Sequence, residues 1–144
     1  MEPSSLFASG LNCGQAVFAP RAESLGLDPD LALRMTAGLG AGLGRKQHVC
    51  GAVTGGVLAL GLRFGHSRAE DKPGKERIYA LTRTLQDRFA AIHGTVVCRD
   101  LLGCDLTTPE GQATFAAGNL SQTVCALCVQ TADRLVGELY KENS

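Results

Sequence analysis

Apolar positions recur along most of this chain at helical spacing. Ile78, Leu81, Leu85, Phe89 and Ile92 return every three or four residues, with Lys75, Glu76, Arg83, Gln86 and Asp87 between them. This pattern predicts an amphipathic helix from about Pro73 to Ile92, stopped by Gly94. A second stripe, Cys125, Cys128, Val129, Ala132, Leu135, Val136 and Leu139, predicts a C-terminal helix starting near Ser121. Val49 to Leu62 carries no charge and reads as a buried helix entered at Cys50, with Val53, Val57 and Leu60 on one side. Gly51 and Gly55 lie four apart on it, a spacing that lets another helix backbone come close. Asn12 is a good N-cap for a helix over Leu11 to Leu25, in which Pro20 predicts a kink or break near Ala19. Asp28-Pro29 starts another helix, with Leu31, Ala32, Met35 and Leu39 on its inner face, and Thr108-Pro109 caps a short one to about Ala116. Arg63 to Gly74 reads as an exposed connection and Thr95 to Pro109 as a turn-rich piece. No segment alternates long enough for a strand. The expected architecture is an all-α, single-domain bundle of five or six helices with glycine-rich connections, spanning residues 1–144.

Composition narrows the function classes. The chain has 144 residues, 44% hydrophobic and 19% charged, the balance of a globular domain with a real core. Formal net charge is zero and aromatics make up 5%. Neither a global positive field nor base-stacking platforms point to nucleic acid. The charge-free run from Val49 to Leu62 is too short to span a bilayer, so no membrane insertion is expected. The N-terminus, MEPSSLFASGLNC, has neither the basic region nor the apolar core of a secretory signal, so the expected location is cytoplasmic.

Six cysteines change the picture. In a reducing compartment a static disulfide framework is disfavoured, which turns attention to redox or metal chemistry. Cys50 stands where the glycines at 38, 40, 42 and 44 and the basic turn Arg45–His48 meet a helix start. Unpaired N–H groups and the positive end of the helix there favour a thiolate, so Cys50 is the expected most reactive thiol. His48, two residues before it, fits a pKa-lowering neighbour, a ligand or a solvated loop residue. The glycine loop is not a phosphate loop: Gly44 is followed by Arg45, Lys46 and Gln47, not by Lys and then Ser or Thr. Cys125-Ala-Leu-Cys128 is a C-x-x-C at a helix start without the βαβ context of a thioredoxin site. It reads either as a dithiol or as two small core residues. A zinc site of two short knuckles is missing its second knuckle, whereas an iron–sulfur cluster tolerates scattered ligands. His66 and His93 show no motif, and no Ser-His-Asp or paired-carboxylate arrangement exists.

Asn12-Cys13 with Gln15-Ala16-Val17, then Cys50-Gly51-Ala52-Val53-Thr54-Gly55, then Cys98-Arg99-Asp100-Leu101-Leu102-Gly103, and finally Cys125 carry a resemblance. In order and at compatible spacing over nearly the whole chain, they resemble the small redox-active proteins of the C_GCAxxG_C_C family, named after its cysteine pattern. The resemblance implies that Cys13, Cys50, Cys98 and Cys125 are the functional four, and that Cys104 and Cys128 lie outside the signature. A related domain in a split-Soret type of multihaem cytochrome makes electron transfer part of what is implied. This chain has no C-x-x-C-H, so covalent haem is not expected. The leading expectation is thiol–disulfide chemistry or electron transfer, with a redox partner protein or a small thiol or disulfide as substrate. The alternative is a metal site in which the same four thiolates hold an iron–sulfur cluster or zinc. A third is a structural protein whose cysteines only pack. A homodimer is compatible with all three.

Overall fold

The computed structural model describes residues 1–144. Eight right-handed helices follow one another: α1 (Pro3–Ala8), α2 (Cys13–Ser24), α3 (Pro29–Met35), α4 (Gly51–Phe64), α5 (Lys72–His93), α6 (Cys98–Leu102), α7 (Pro109–Ala117) and α8 (Ala126–Glu142). The fold is all-α, as the apolar periodicity predicts. The count exceeds five or six because two short helices, α1 and α6, carry too few residues to show a period. No helix is long and apolar enough to cross a membrane.

α4 is the central element and packs against α2, α5 and α8. Its lack of charge follows from this, since neighbours cover it on several sides. Val53 and Leu60 from α4, Leu85 and Phe89 from α5, and Val129, Leu135 and Val136 from α8 meet Val17 and Phe18 of α2 in one core. Each such side chain, taken fully from water, contributes about 1.5–3 kcal/mol. Ile92 does not join them. It is half exposed, while Phe89 and His93 at the same end of α5 face the bundle and His93 Nε2 lies 2.9 Å from Thr131 Oγ1 of α8. Leu31 and Met35 are likewise exposed. The seven-residue α3 packs mainly on α2, so only Ala32 of its expected inner face is buried.

The α2–α4 crossing is made by glycine. A Cβ on Gly55 would lie 2.6 Å from the Gly14 carbonyl oxygen, and one on Gly51 would lie 2.5 Å from Cys13 Sγ. The Gly51/Gly55 pair therefore seats α2 against α4 backbone to backbone. α2 does not break at Pro20 but runs through it to Ser24. The hydrogen bond lost at proline is offset by a capping box at Asn12 and Gln15, and by burial of Ala16, Val17, Phe18, Ala19 and Ala22. Arg21 adds an ion pair to Asp133 of α8 at 3.1 Å.

Candidate functional site: a cavity walled by cysteines

One cavity of about 150 Å³ lies at the end of the bundle where several helices begin. Cys13, Cys50, Cys98, Cys125 and Cys128 line it, with Phe7, Leu102, Leu106 and Phe115 among its apolar walls. All six cysteines are free thiols.

Local structure explains each placement. Cys13 is the first residue of α2 and Cys50 the N-cap of α4. Cys98 opens α6. Cys125 closes a π-type turn, Ser121–Cys125, that leads into α8, and Cys128 follows within α8. Two non-local devices bring these starts together. The first is an isolated antiparallel bridge between Val49 and Val97. Beside it, Cys50 N donates to Val96 O and Cys98 N to His48 O, both at 2.7 Å, so the residues entering α4 and α6 run side by side. A bridge this short leaves no period-two trace in the sequence.

The second device is the glycine loop, which folds as a left-handed turn. Ala41 (φ 52°, ψ 44°), Gly42 (φ 65°, ψ 47°) and Gly44 (φ 61°, ψ 35°) have left-handed helical backbones, and Leu43 and Arg45 also have positive φ, 72° and 71°. Gly44 N donates to Gly40 O at 2.9 Å and His48 N to Gly42 O at 2.9 Å. Glycine at 42 is required twice, since a Cβ there would lie 2.5 Å from His48 N. The non-glycine members each cost about 1–2 kcal/mol in this conformation. Such strain gathers at functional sites. Here the turn forms part of the cavity wall, and the Ala41 and Gly14 backbones partly offset the rise in the Cys13 pKa.

Gln47 is a site residue that sequence reasoning missed. Its side chain is buried; Nε2 donates to the Cys104 carbonyl at 2.8 Å and Oε1 accepts from Leu106 N at 2.8 Å. It pins the segment after α6 against the cavity. Its positive φ of 59°, in a residue that reads as an ordinary polar loop position, leaves no sequence signal. Gln47→Ala strands a buried carbonyl and a buried N–H, at about 1–3 kcal/mol each. The urea midpoint should fall accordingly, and amide exchange should speed up first over residues 98–106. His48, by contrast, is exposed and does not line the cavity.

The expectation of a low-pKa Cys50 is overturned. Cys50 does cap a helix, but it is 7% exposed. Interaction with the Cys128 thiol, opposed by Cys13 and aided by burial, pushes it up to about 12. Cys13 is raised further, first by the Cys50 thiol and then by burial. Burial, followed by the charge on Cys13, raises Cys125 to about 12 and Cys98 to about 11. The helix-start field is real but weaker than desolvation and the mutual repulsion of converging thiolates. At neutral pH these thiols are protonated and slow to alkylate, and the half-buried Cys13 and Cys125 should label before Cys50.

A pH dependence of stability follows. Folding raises these pKa values above the ordinary value near 9. The unfolded chain therefore sheds protons first, and stability present below pH 9 is lost as pH rises towards 11–12. Each group contributes about 1.4 kcal/mol per pH unit in that window. Thermal melts of the reduced protein should hold steady from pH 7 to 8.5 and then fall on the order of 5 °C or more per pH unit.

Six thiols fall into two neighbourhoods. In one, the Cys13 sulfur lies against Gly51, next to Cys50, and Cys50 and Cys128 share the buried core and the cavity wall. Across the cavity, Cys98 and Cys104 pack together in a small apolar cluster with Leu102 and Leu106, against which Cys125 rests. No three Cys, His, Asp or Glu side chains converge closely enough to hold a single metal ion. The chain belongs to the C_GCAxxG_C_C family, described as "Putative redox-active protein (C_GCAxxG_C_C)", whose model matches residues 11–139. No curated protein and no solved structure matches it.

Proposed function

We propose that this C_GCAxxG_C_C family member works by thiol–disulfide exchange, with Cys13 and Cys50 as the working pair and the cavity as their reaction chamber. The observation that carries this reading is that both thiols line one cavity at the glycine crossing of α2 and α4, where the Cys13 sulfur lies against Gly51, the residue after Cys50. The substrate class is a disulfide, on a partner protein or a small molecule. Both protein thiols lose their protons, the partner disulfide accepts two electrons, and the products are a Cys13–Cys50 disulfide and two partner thiols. Cys13 is the entry thiol because it is only half buried, and Cys50 resolves the mixed disulfide. Low-pKa centres are oxidising because their reduced form is stabilised as thiolate. These thiols have raised pKa values, so the reduced pair gains no such stabilisation and acts as a reductant.

The cavity between the thiols supports a second reading. Cys13, Cys50, Cys98 and Cys125 offer a four-thiolate donor set around an apolar void, which suits an iron–sulfur cluster better than a single zinc. Such a cluster would supply one-electron transfer. The Ala41 and Gly14 backbones, which favour the Cys13 thiolate, would then tune its charge.

One experiment separates the two. Protein purified without oxygen is analysed for iron, zinc and acid-labile sulfide, then oxidised with a mild excess of oxidised glutathione and mapped by mass spectrometry. The expected result is no stoichiometric metal and a Cys13–Cys50 linkage. A full cluster equivalent of iron and sulfide, with the four thiols protected from linkage, would overturn the exchange reading in favour of the cluster.

A further inference from the structure

Cys128 lies outside the family's four-cysteine signature, yet it shares the cavity wall and the buried core with Cys50. It sits in α8 three residues beyond Cys125, is 1% exposed, and lines the cavity beside Cys50. Of the two thiols that share the cavity with Cys50 on its own side, Cys13 is partly exposed and Cys128 is buried in the core. As packing alone, Cys128 would be one more small residue on the apolar stripe of α8. That account leaves unused a buried thiol that shares both the core and the cavity wall with Cys50.

We propose that Cys128 is a third exchange thiol, which takes over Cys50 from Cys13 and moves the disulfide from the mouth of the cavity into the core. The inference rests on the exchange reading above. After a disulfide substrate has produced Cys13–Cys50, the Cys128 thiolate attacks the Cys50 sulfur. The Cys50–Cys128 bond forms as the Cys13–Cys50 bond breaks. Cys13 leaves as thiolate and takes the proton that Cys128 gave up. No electrons enter or leave in this step, so no further oxidant is needed. The result is a buried disulfide shielded from outside thiols and a free Cys13 ready for another substrate. The chain would store two oxidising equivalents as one internal disulfide while keeping its entry thiol active.

The probe is oxidised glutathione added to the intact, reduced protein. Samples are quenched in acid over time, alkylated after unfolding, and mapped by mass spectrometry. In the wild type, Cys13–Cys50 should appear first and give way to Cys50–Cys128. Cys13 should then become alkylatable again, or carry one glutathione from a second encounter. Cys128→Ala should stop at Cys13–Cys50 and retain no glutathione. The milder Cys128→Ser, which keeps the side chain's size, should stop at the same point and guards against a packing defect in the alanine variant. A wild type that halts at Cys13–Cys50, with Cys128 free throughout, would overturn the relay and leave the exchange reading standing. If no linkage forms among Cys13, Cys50 and Cys128, the exchange reading itself fails, and the relay with it.

Discussion

Gly55→Ala should cost this protein about 3 kcal/mol or more, one of the largest losses available from adding a single methyl group. The added Cβ would lie 2.6 Å from the Gly14 carbonyl oxygen and 3.0 Å from Gly14 Cα. Both are backbone atoms of a buried helix, so neither can rotate away as a flexible side chain would. α2 must move off α4, and every side chain between them loses packing. Overpacking a filled core costs about 1–3 kcal/mol, and more where backbone must shift. That loss exceeds the gain of about 1 kcal/mol that alanine brings over glycine in a helix. Gly61, on the same helix, is the control, because a Cβ there meets nothing within 4 Å. Gly61→Ala should raise the urea midpoint while Gly55→Ala lowers it steeply. If the two variants shift in the same direction, helix propensity governs α4 and the close crossing does not. The crossing also sets the Cys13–Cys50 distance, so Gly55→Ala should slow formation of their disulfide beyond its effect on stability.

Cys50→Ser should abolish the two-electron couple while leaving the fold intact. Cys50 is the N-cap of α4, but its side chain makes no capping hydrogen bond. Serine is a preferred N-cap and fits the same volume, so the substitution should not unfold the helix. What it removes is the sulfur between Cys13 and Cys128. A redox titration read by thiol alkylation should show one cooperative two-electron step in the wild type and none in Cys50→Ser. Cys104→Ala should keep the step, since Cys104 sits with Cys98 in the separate apolar cluster and is not among the cavity-lining residues. A two-electron step that survived in Cys50→Ser would place the working pair elsewhere, first at Cys98 and Cys125 on the far wall of the cavity.

Raised pKa values give such a centre a consistent behaviour. A thiol pair with pKa values near those of free cysteine would react with any passing electrophile. Buried thiols held protonated by one another react only with a substrate that reaches the cavity. On the exchange reading proposed above, selectivity would then come from access through the half-buried Cys13, and not from thiolate character.

The amino-acid pattern alone was enough to place the long helices and their caps. Apolar residues at helical spacing mark α5 and α8. Asn12, Asp28 and Thr108 each accept a backbone N–H at the start of a helix, as their residue types predict. Gly51 and Gly55 announce a close helix crossing, and the ordered cysteine motifs announce the family. All of these are local signals, carried by period, turn chemistry or the missing Cβ of glycine, and they act over a few residues. The properties that decide reactivity are not local. Cys50 reads as an activated thiol because a glycine-rich, basic loop precedes it and a helix starts at it. Only the packing of α2, α5 and α8 around α4 buries it and reverses the direction of its pKa. The bridge between Val49 and Val97, the pin that Gln47 drives into the Cys104 segment and the left-handed turn each join or reshape stretches with no distinctive period. Cys128 shows the division most clearly. Its place on the apolar stripe of α8 can be read from the chain, but its position beside Cys50 cannot, because that neighbour comes from a helix more than seventy residues earlier in the chain. Desolvation and charge coupling depend on which groups meet in space, and tertiary packing alone determines that.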